Sequence, residues 1–161
     1  MAEELTIAEG TKAEKYAVLA AQVASVVGSE SDMIANMANV ASMLHETFGF
    51  WWTGFYRVKE TEGNADEVLI LGPFQGPLAC TRIKKGKGVC GTAWERGATV
   101  VVEDVDKFKG HIACSSASRS EIVVPIKKGG RVVAVLDIDS DELATFDETD
   151  KKYLEEIAAL F

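Results

Sequence analysis

The chain has 161 residues, 47% of them hydrophobic and 26% charged, with a formal net charge of −8. A domain of this size buries roughly 70% of the surface its unfolded chain exposes, so a core forms without disulfides or a structural metal. The acidic balance excludes a nucleic-acid backbone as partner, because that affinity is built on clustered Lys and Arg.

One domain over residues 1–161 is expected, with residues 1–10 as a loosely ordered extension. The opening MAEELTIAEG has neither a basic n-region nor an apolar h-region. No apolar run reaches the roughly 18 residues that a membrane span needs. Three cysteines, an odd number without an export signal, do not read as a disulfide framework. The expected location is the cytoplasm, with thiols reduced at rest and no membrane partner.

Thr11 and Glu14 match a capping box ahead of a helical stripe through Tyr16, Ala20, Val23 and Val27, which Gly28 closes. Ser29 and Asp32 open a second helix whose apolar face is Met33, Met37, Val40, Ala41, Leu44 and Phe48, with Gly49 at its end. The methionines read as core filler and His45 as a partly exposed surface residue. From Phe50 the texture changes to strands, FWWTGFYRV and VLILGPF, with ETEGNADE as the turn between them. Gly72-Pro73 and Gly76-Pro77 are expected to break the chain before Cys80.

KKGKGVCG lacks the spacing of a phosphate loop and reads as turn glycines leading into a short helix, TAWERG, with Cys90 near its start. ATVVVEDV is a further strand, and residues 111–121 follow as a loop or short helix. EIVVPIKKGGRVVAVLDIDS is the clearest hairpin, with Gly129-Gly130 as its turn. TFDE, Thr145 to Glu148, matches a capping box for a last helix with Leu154, Ile157, Ala158 and Phe161 on its apolar face. Helices at both ends with antiparallel strands between them give an α+β layered domain.

The chemistry gathers at HIACSSASRSE, His111 to Glu121, and LDIDS, Leu136 to Ser140. Cys114 sits among small hydroxylated residues, with His111 and Arg119 as nearby cations that would favour its thiolate. Asp137 and Asp139, two apart on a strand, share one face. Acids on so apolar a strand carry a desolvation cost, which a cationic ligand or a shared proton offsets. Ionised, they hold an ammonium group; protonated, one of them hands a proton to a leaving oxygen. Two thiols reaching one pocket can run a sulfenic acid and disulfide cycle. Against this, buried cysteines are commonly inert, and Cys90 between Val89 and Gly91 reads as core. Three cysteines and His111 lack the paired C-x2-C spacing of common zinc sites, so no metal is expected.

Taken together, WTGFY at Trp52 to Tyr56, LGPFQGPLACTRI at Leu71 to Ile83, GKGVCGTA at Gly86 to Ala93, EDV, GHIACSSASRSEIVVPI and LDIDS resemble the free methionine-(R)-sulfoxide reductase family. The motifs run in order over residues 15–161 with three cysteine positions matched. The resemblance implies a stand-alone GAF domain with a six-stranded antiparallel sheet flanked by helices, usually a homodimer. It implies reduction of free L-methionine-(R)-sulfoxide at the expense of thioredoxin, with no bound cofactor. Cys114 matches the nucleophile, Cys80 the resolving cysteine, and Cys90 a third cysteine whose role varies. Trp52 and Tyr56 match an aromatic wall, though plain strand-core aromatics are the alternative. Glu121, Asp137 and Asp139 match the ligand-binding acids, and which of them donates a proton is left open. A non-catalytic ligand-binding GAF module and a thiol redox sensor are the competing readings, separated from the enzyme by substrate turnover.

Overall fold

Side-chain caps set the helix boundaries. The computed structural model describes residues 4–63, 65–111 and 116–161. Thr11 Oγ1 accepts from the Glu14 amide and opens α1 (Lys12–Gly28); Asp32 accepts from the Ala35 amide and opens α2 (Met33–Phe48). These satisfy orphan amides of the first turn. The last helix, α4 (Glu148–Ala158), starts two residues later than the Thr145 match implies. Its capping box is Asp147 with Asp150, and the Thr145 hydroxyl instead donates to Ser140 Oγ at 2.6 Å. Phe161 packs on the core from beyond the helix end. Residues 4–10 have no regular structure, but Gln22 holds Thr6 through both its amide and its carbonyl.

Between the helices run β1 (Trp52–Glu60), β2 (Glu67–Gln75), β3 (Arg82–Ile83), α3 (Gly88–Arg96), β4 (Val100–Val102), a 3-10 turn (Val105–Lys107), β5 (Ser120–Lys128) and β6 (Arg131–Ser140). They form a six-stranded sheet in the order β3-β2-β1-β6-β5-β4, antiparallel at every pairing. The expected α+β layering with a six-stranded antiparallel sheet is therefore observed. No described helix is long and apolar enough to cross a membrane.

Gly72-Pro73 does not break the chain. Gly54 pairs with Phe74 and Tyr56 with Leu71, so Gly72 and Pro73 together oppose Phe55 in a bulge inside β2. A bulge leaves one residue out of the ladder, which is where a residue without an N–H is tolerated in a sheet. The β5–β6 turn is as expected: Gly129 and Gly130 have φ of 60° and 77°, the paired positive values that a two-residue hairpin turn needs.

The strand alternation divides the core into two layers. Phe55, Ile122, Val124, Leu136 and Ile138 face α1, α2 and α4. Trp52, Tyr56, Val123 and Val135 face the opposite side, under Cys90, Ala93 and Trp94 of α3. The second layer carries the chemistry.

One polar cluster pins the helical layer. Asp150, buried at the start of α4, accepts from Tyr16 Oη at 2.7 Å and from Lys12 Nζ at 2.7 Å. Breaking one partner of a buried pair leaves an uncompensated charge. Lys12→Met is expected to cost about 2 kcal/mol, below the usual range for a buried pair because Lys12 is partly exposed and Tyr16 still serves Asp150. The shift in urea midpoint at unchanged m-value measures it.

Candidate active site

Three strands deliver the site in register. Trp52 on β1 lies opposite Asp139 on β6, and Asp139 lies opposite Glu121 on β5. The next row on the same face is Gly54, Asp137 and Val123. Directly opposed residues of an antiparallel ladder share a face, so the two aspartates and Glu121 converge on one patch. α3 covers this patch, and Cys90, its third residue, reaches Glu121 with Sγ to Oε1 at 4.0 Å.

Between α3 and the sheet lies a cavity of about 50 Å³ lined by Trp52, Tyr56, Cys90, Glu121, Asp137 and Asp139, with Ala79, His111 and Ser118 at its margin. Every described residue that the sequence marked for substrate contact lines this space. Cys90 does so as well: it is buried in the apolar layer, in keeping with its reading as core, and its sulfur also lies near the Glu121 carboxylate. Cys80 is disulfide-bonded and half-buried, whereas Cys90 is a free thiol. Cys114 lies outside the described residues. Arg119 is exposed, and its backbone ties Ser140 to Val105.

The aromatic floor has a structural cause. A Cβ on Gly54 would stand 2.4 Å from Phe74 Cβ and 2.6 Å from the Trp52 ring. The missing side chain lets that ring fold back along its own strand, stacked on Phe74 at 5.2 Å and against Tyr56 at 6.0 Å. Trp52 Nε1 donates to the Pro77 carbonyl at 3.1 Å, and Tyr56 Oη donates to the Cys80 carbonyl at 2.9 Å. The polar tips of the two aromatics thus tether the Cys80 loop over the cavity. Gly54→Ala is expected to displace the Trp52 ring and cost about 1–3 kcal/mol through overpacking. An about tenfold rise in KM is expected with it; thermal melts and steady-state kinetics check the two effects.

The electrostatics are unusual for a surface this acidic. Burial, reinforced by Asp137 and Asp139, pushes the Glu121 carboxyl well above the ordinary carboxylate range. Burial and the Asp137 charge push Asp139 the same way, against a 2.8 Å hydrogen bond from Ser118 Oγ. Asp137 is raised by burial, partly offset by hydrogen bonds from Glu121 and Cys90, and its Oδ1 is buried without a partner. Burial and the same acids push the Cys90 thiol well up, and burial with those acids keeps the Tyr56 phenol protonated. Burial lowers His111 and favours its neutral imidazole, while the Asp106 charge works in the opposite direction. The cluster therefore calls for protons or a cation.

His111 and Ser118 were visible in the sequence only as neighbours of Cys114; both lie in the loop before β5, where they line the cavity, and Ser118 Oγ donates to Asp139. Leu78, Ile83, Gly88 and Val89 complete the walls and carry no sequence signal beyond hydrophobicity or turn formation.

The sheet in this order, with α3 over buried acids, encloses a cavity on one face. The sequence profile of the GAF domain matches residues 29–161. GAF domain-containing protein A of Dictyostelium discoideum is 54% identical over 160 residues, covering 99% of this chain and 98% of its own. Free methionine-R-sulfoxide reductase of Escherichia coli is 41% identical over 149 residues, covering 92% of this chain and 87% of its own. The crystal structure of free methionine-R-sulfoxide reductase from Neisseria meningitidis in complex with its substrate superposes with a TM-score of 0.91 at 54% identity, covering 98% of this chain and 92% of that one. The chain belongs to the GAF domain family and, within it, to the free methionine-R-sulfoxide reductases.

Proposed function

We propose that this protein reduces free L-methionine-(R)-sulfoxide to L-methionine. The observation that carries the proposal is the convergence of Glu121, Asp137 and Asp139 beside an aromatic wall, with a buried, unpartnered oxygen on Asp137. Such a site suits a small amino acid whose ammonium group the acids hold and whose methyl and sulfoxide groups lie against Trp52 and Tyr56. A residue within a protein lacks that ammonium and is rejected.

Cys114 attacks the sulfoxide sulfur while a cluster carboxylic acid protonates the sulfoxide oxygen. Attack joins the two sulfurs; the hydroxyl then passes to the Cys114 sulfur as the S–S and S–O bonds to the methionine sulfur break, so methionine leaves and Cys114 is left as a sulfenic acid. Cys80 then attacks that sulfur, releasing water and forming a disulfide, and the dithiol of thioredoxin restores both thiols. The disulfide-bonded state of Cys80 supports its resolving role. The raised Cys90 thiol is a poor nucleophile at neutral pH, which supports the assignment of attack to Cys114. In this reading the protein is a cytoplasmic homodimer with no prosthetic group.

The test is NADPH consumption through thioredoxin reductase and thioredoxin. Free (R)-sulfoxide is expected to turn over, while the (S) epimer and an N-blocked, amidated (R) analogue do not. A folded, reduced protein that consumes none of the three would be a ligand-binding or redox-sensing domain instead.

A further inference from the structure

Cys90, Glu121 and Asp137 place a thiol sulfur and two carboxylate oxygens within 4.8 Å of one another, all on buried residues. They stand on three separate rigid elements: α3, β5 and β6. Asp137 Oδ1 finds no hydrogen-bond donor although the residue is only 5% exposed. Among the described residues lining the cavity, His111 is the sole basic side chain. Two buried carboxylates thus face a thiol with no cation between them.

We propose that the protein with its thiols reduced binds one zinc ion through Cys90 Sγ and one oxygen each of Glu121 and Asp137, which excludes the amino-acid ligand from the cavity. Zinc takes sulfur at about 2.3 Å and carboxylate oxygen at about 2.0–2.2 Å in a tetrahedron, so its donors stand about 3.4–3.6 Å apart. Cys90 Sγ and Glu121 Oε1 are already at 4.0 Å, and closing the set takes side-chain shifts of about 1 Å. The thiol passes its proton to solvent as it becomes a ligand, and its softness selects zinc over magnesium or calcium. Cys90 also lies in the first turn of α3, where amide dipoles favour the thiolate. The cavity leaves the fourth position to water, the open coordination of a non-structural zinc site. The ion needs neither Cys80 nor Cys114, so the site stands independently of the reductase reading, although both use Glu121 and Asp137.

The experiment titrates cobalt(II), a spectroscopic substitute for zinc, into the metal-free full chain reduced with a phosphine. One equivalent per chain is expected to produce a near-ultraviolet thiolate-to-cobalt charge-transfer band, bleached by one equivalent of zinc. Cys90→Ser is expected to remove the band, Cys114→Ser to retain it, and Asp137→Asn to weaken affinity about tenfold or more. Circular dichroism checks that each variant is folded, and the wild-type spectrum reports sulfur ligation without any variant. Absence of the band in the wild type, its survival in Cys90→Ser, or unchanged affinity in Asp137→Asn overturns the site. A Cys90-dependent band in a protein that, metal-free, turns over no sulfoxide overturns the reductase reading and leaves the ion site in place.

Discussion

Cys114→Ser is expected to reduce coupled turnover of free methionine-(R)-sulfoxide on the order of a thousandfold or more, to the background of the assay, because loss of a nucleophile removes the covalent step outright. Cys90→Ser is expected to keep a readily measured rate. The contrast follows from the surroundings of Cys90. Its sulfur is buried 4.0 Å from Glu121 Oε1, and burial with the Asp137 and Glu121 charges disfavours its thiolate. A thiol so placed stays protonated at neutral pH and attacks poorly. Loss of turnover in Cys90→Ser with retention in Cys114→Ser would reverse the two roles. Turnover in both variants would remove thiol chemistry from the account. Mass spectrometry of substrate-treated Cys80→Ser adds a second readout: one added oxygen is expected on Cys114, because the thiol that condenses with the sulfenic acid has gone.

Asp137→Asn and Glu121→Gln are each expected to lower turnover about a hundredfold or more, the usual effect of removing a charge-stabilising or proton-donating group. The same variants are expected to stabilise the ligand-free protein at neutral pH. All three acids are raised above their ordinary range, first of all by burial. Between the unfolded carboxylate pKa of about 4 and the raised folded value, the native state holds more protons than the unfolded chain. Unfolding free energy therefore falls as pH rises through that window. Each amide variant loses one acid's share of this slope, so its advantage grows from about pH 4 upward. It is expected to reach about 1–3 kcal/mol at neutral pH, the ordinary penalty of an ill-satisfied buried polar group. Urea melts across pH, with and without ligand, measure it. A ligand ammonium reverses the sign by favouring ionised acids, so ligand binding releases protons and tightens as pH rises.

Much of this was legible in the sequence. Asp32, Gly49 and Gly129-Gly130 are local signals, and each sits at its expected cap or turn. Asp137 and Asp139 share a face because strand periodicity requires it. The position of Glu121 was beyond local reading. Continued without irregularity from the Lys128–Arg131 pair, the hairpin would set Glu121 opposite Ile138, toward the helical layer. A bulge after Lys127–Val132 passes over Val133, so that Ile126 pairs with Ala134 and Glu121 with Asp139. One extra residue on β6 thus carries a carboxylate from the helical side to the site side. The bulge at Gly72-Pro73 escaped for the same reason, since two turn-forming residues can be absorbed by a neighbouring strand. Cys90 read as core from its chain neighbours Val89 and Gly91, and it lies there; its carboxylate neighbours come from β5 and β6, beyond local reading. The α4 start was misplaced because Thr145 and Asp147 are both good caps, and tertiary contacts with Ser140 took the first.

The central claim is that the buried acids capture the ammonium group of a free amino acid. Calorimetric titration of reduced Cys114→Ser, which binds without turning over, tests it most directly. Free L-methionine-(R)-sulfoxide is expected to bind, its N-acetylated analogue to give no heat, and addition of Asp137→Asn to weaken the free ligand about tenfold or more. Equal binding of the free and N-acetylated forms, unaffected by Asp137→Asn, would contradict the account.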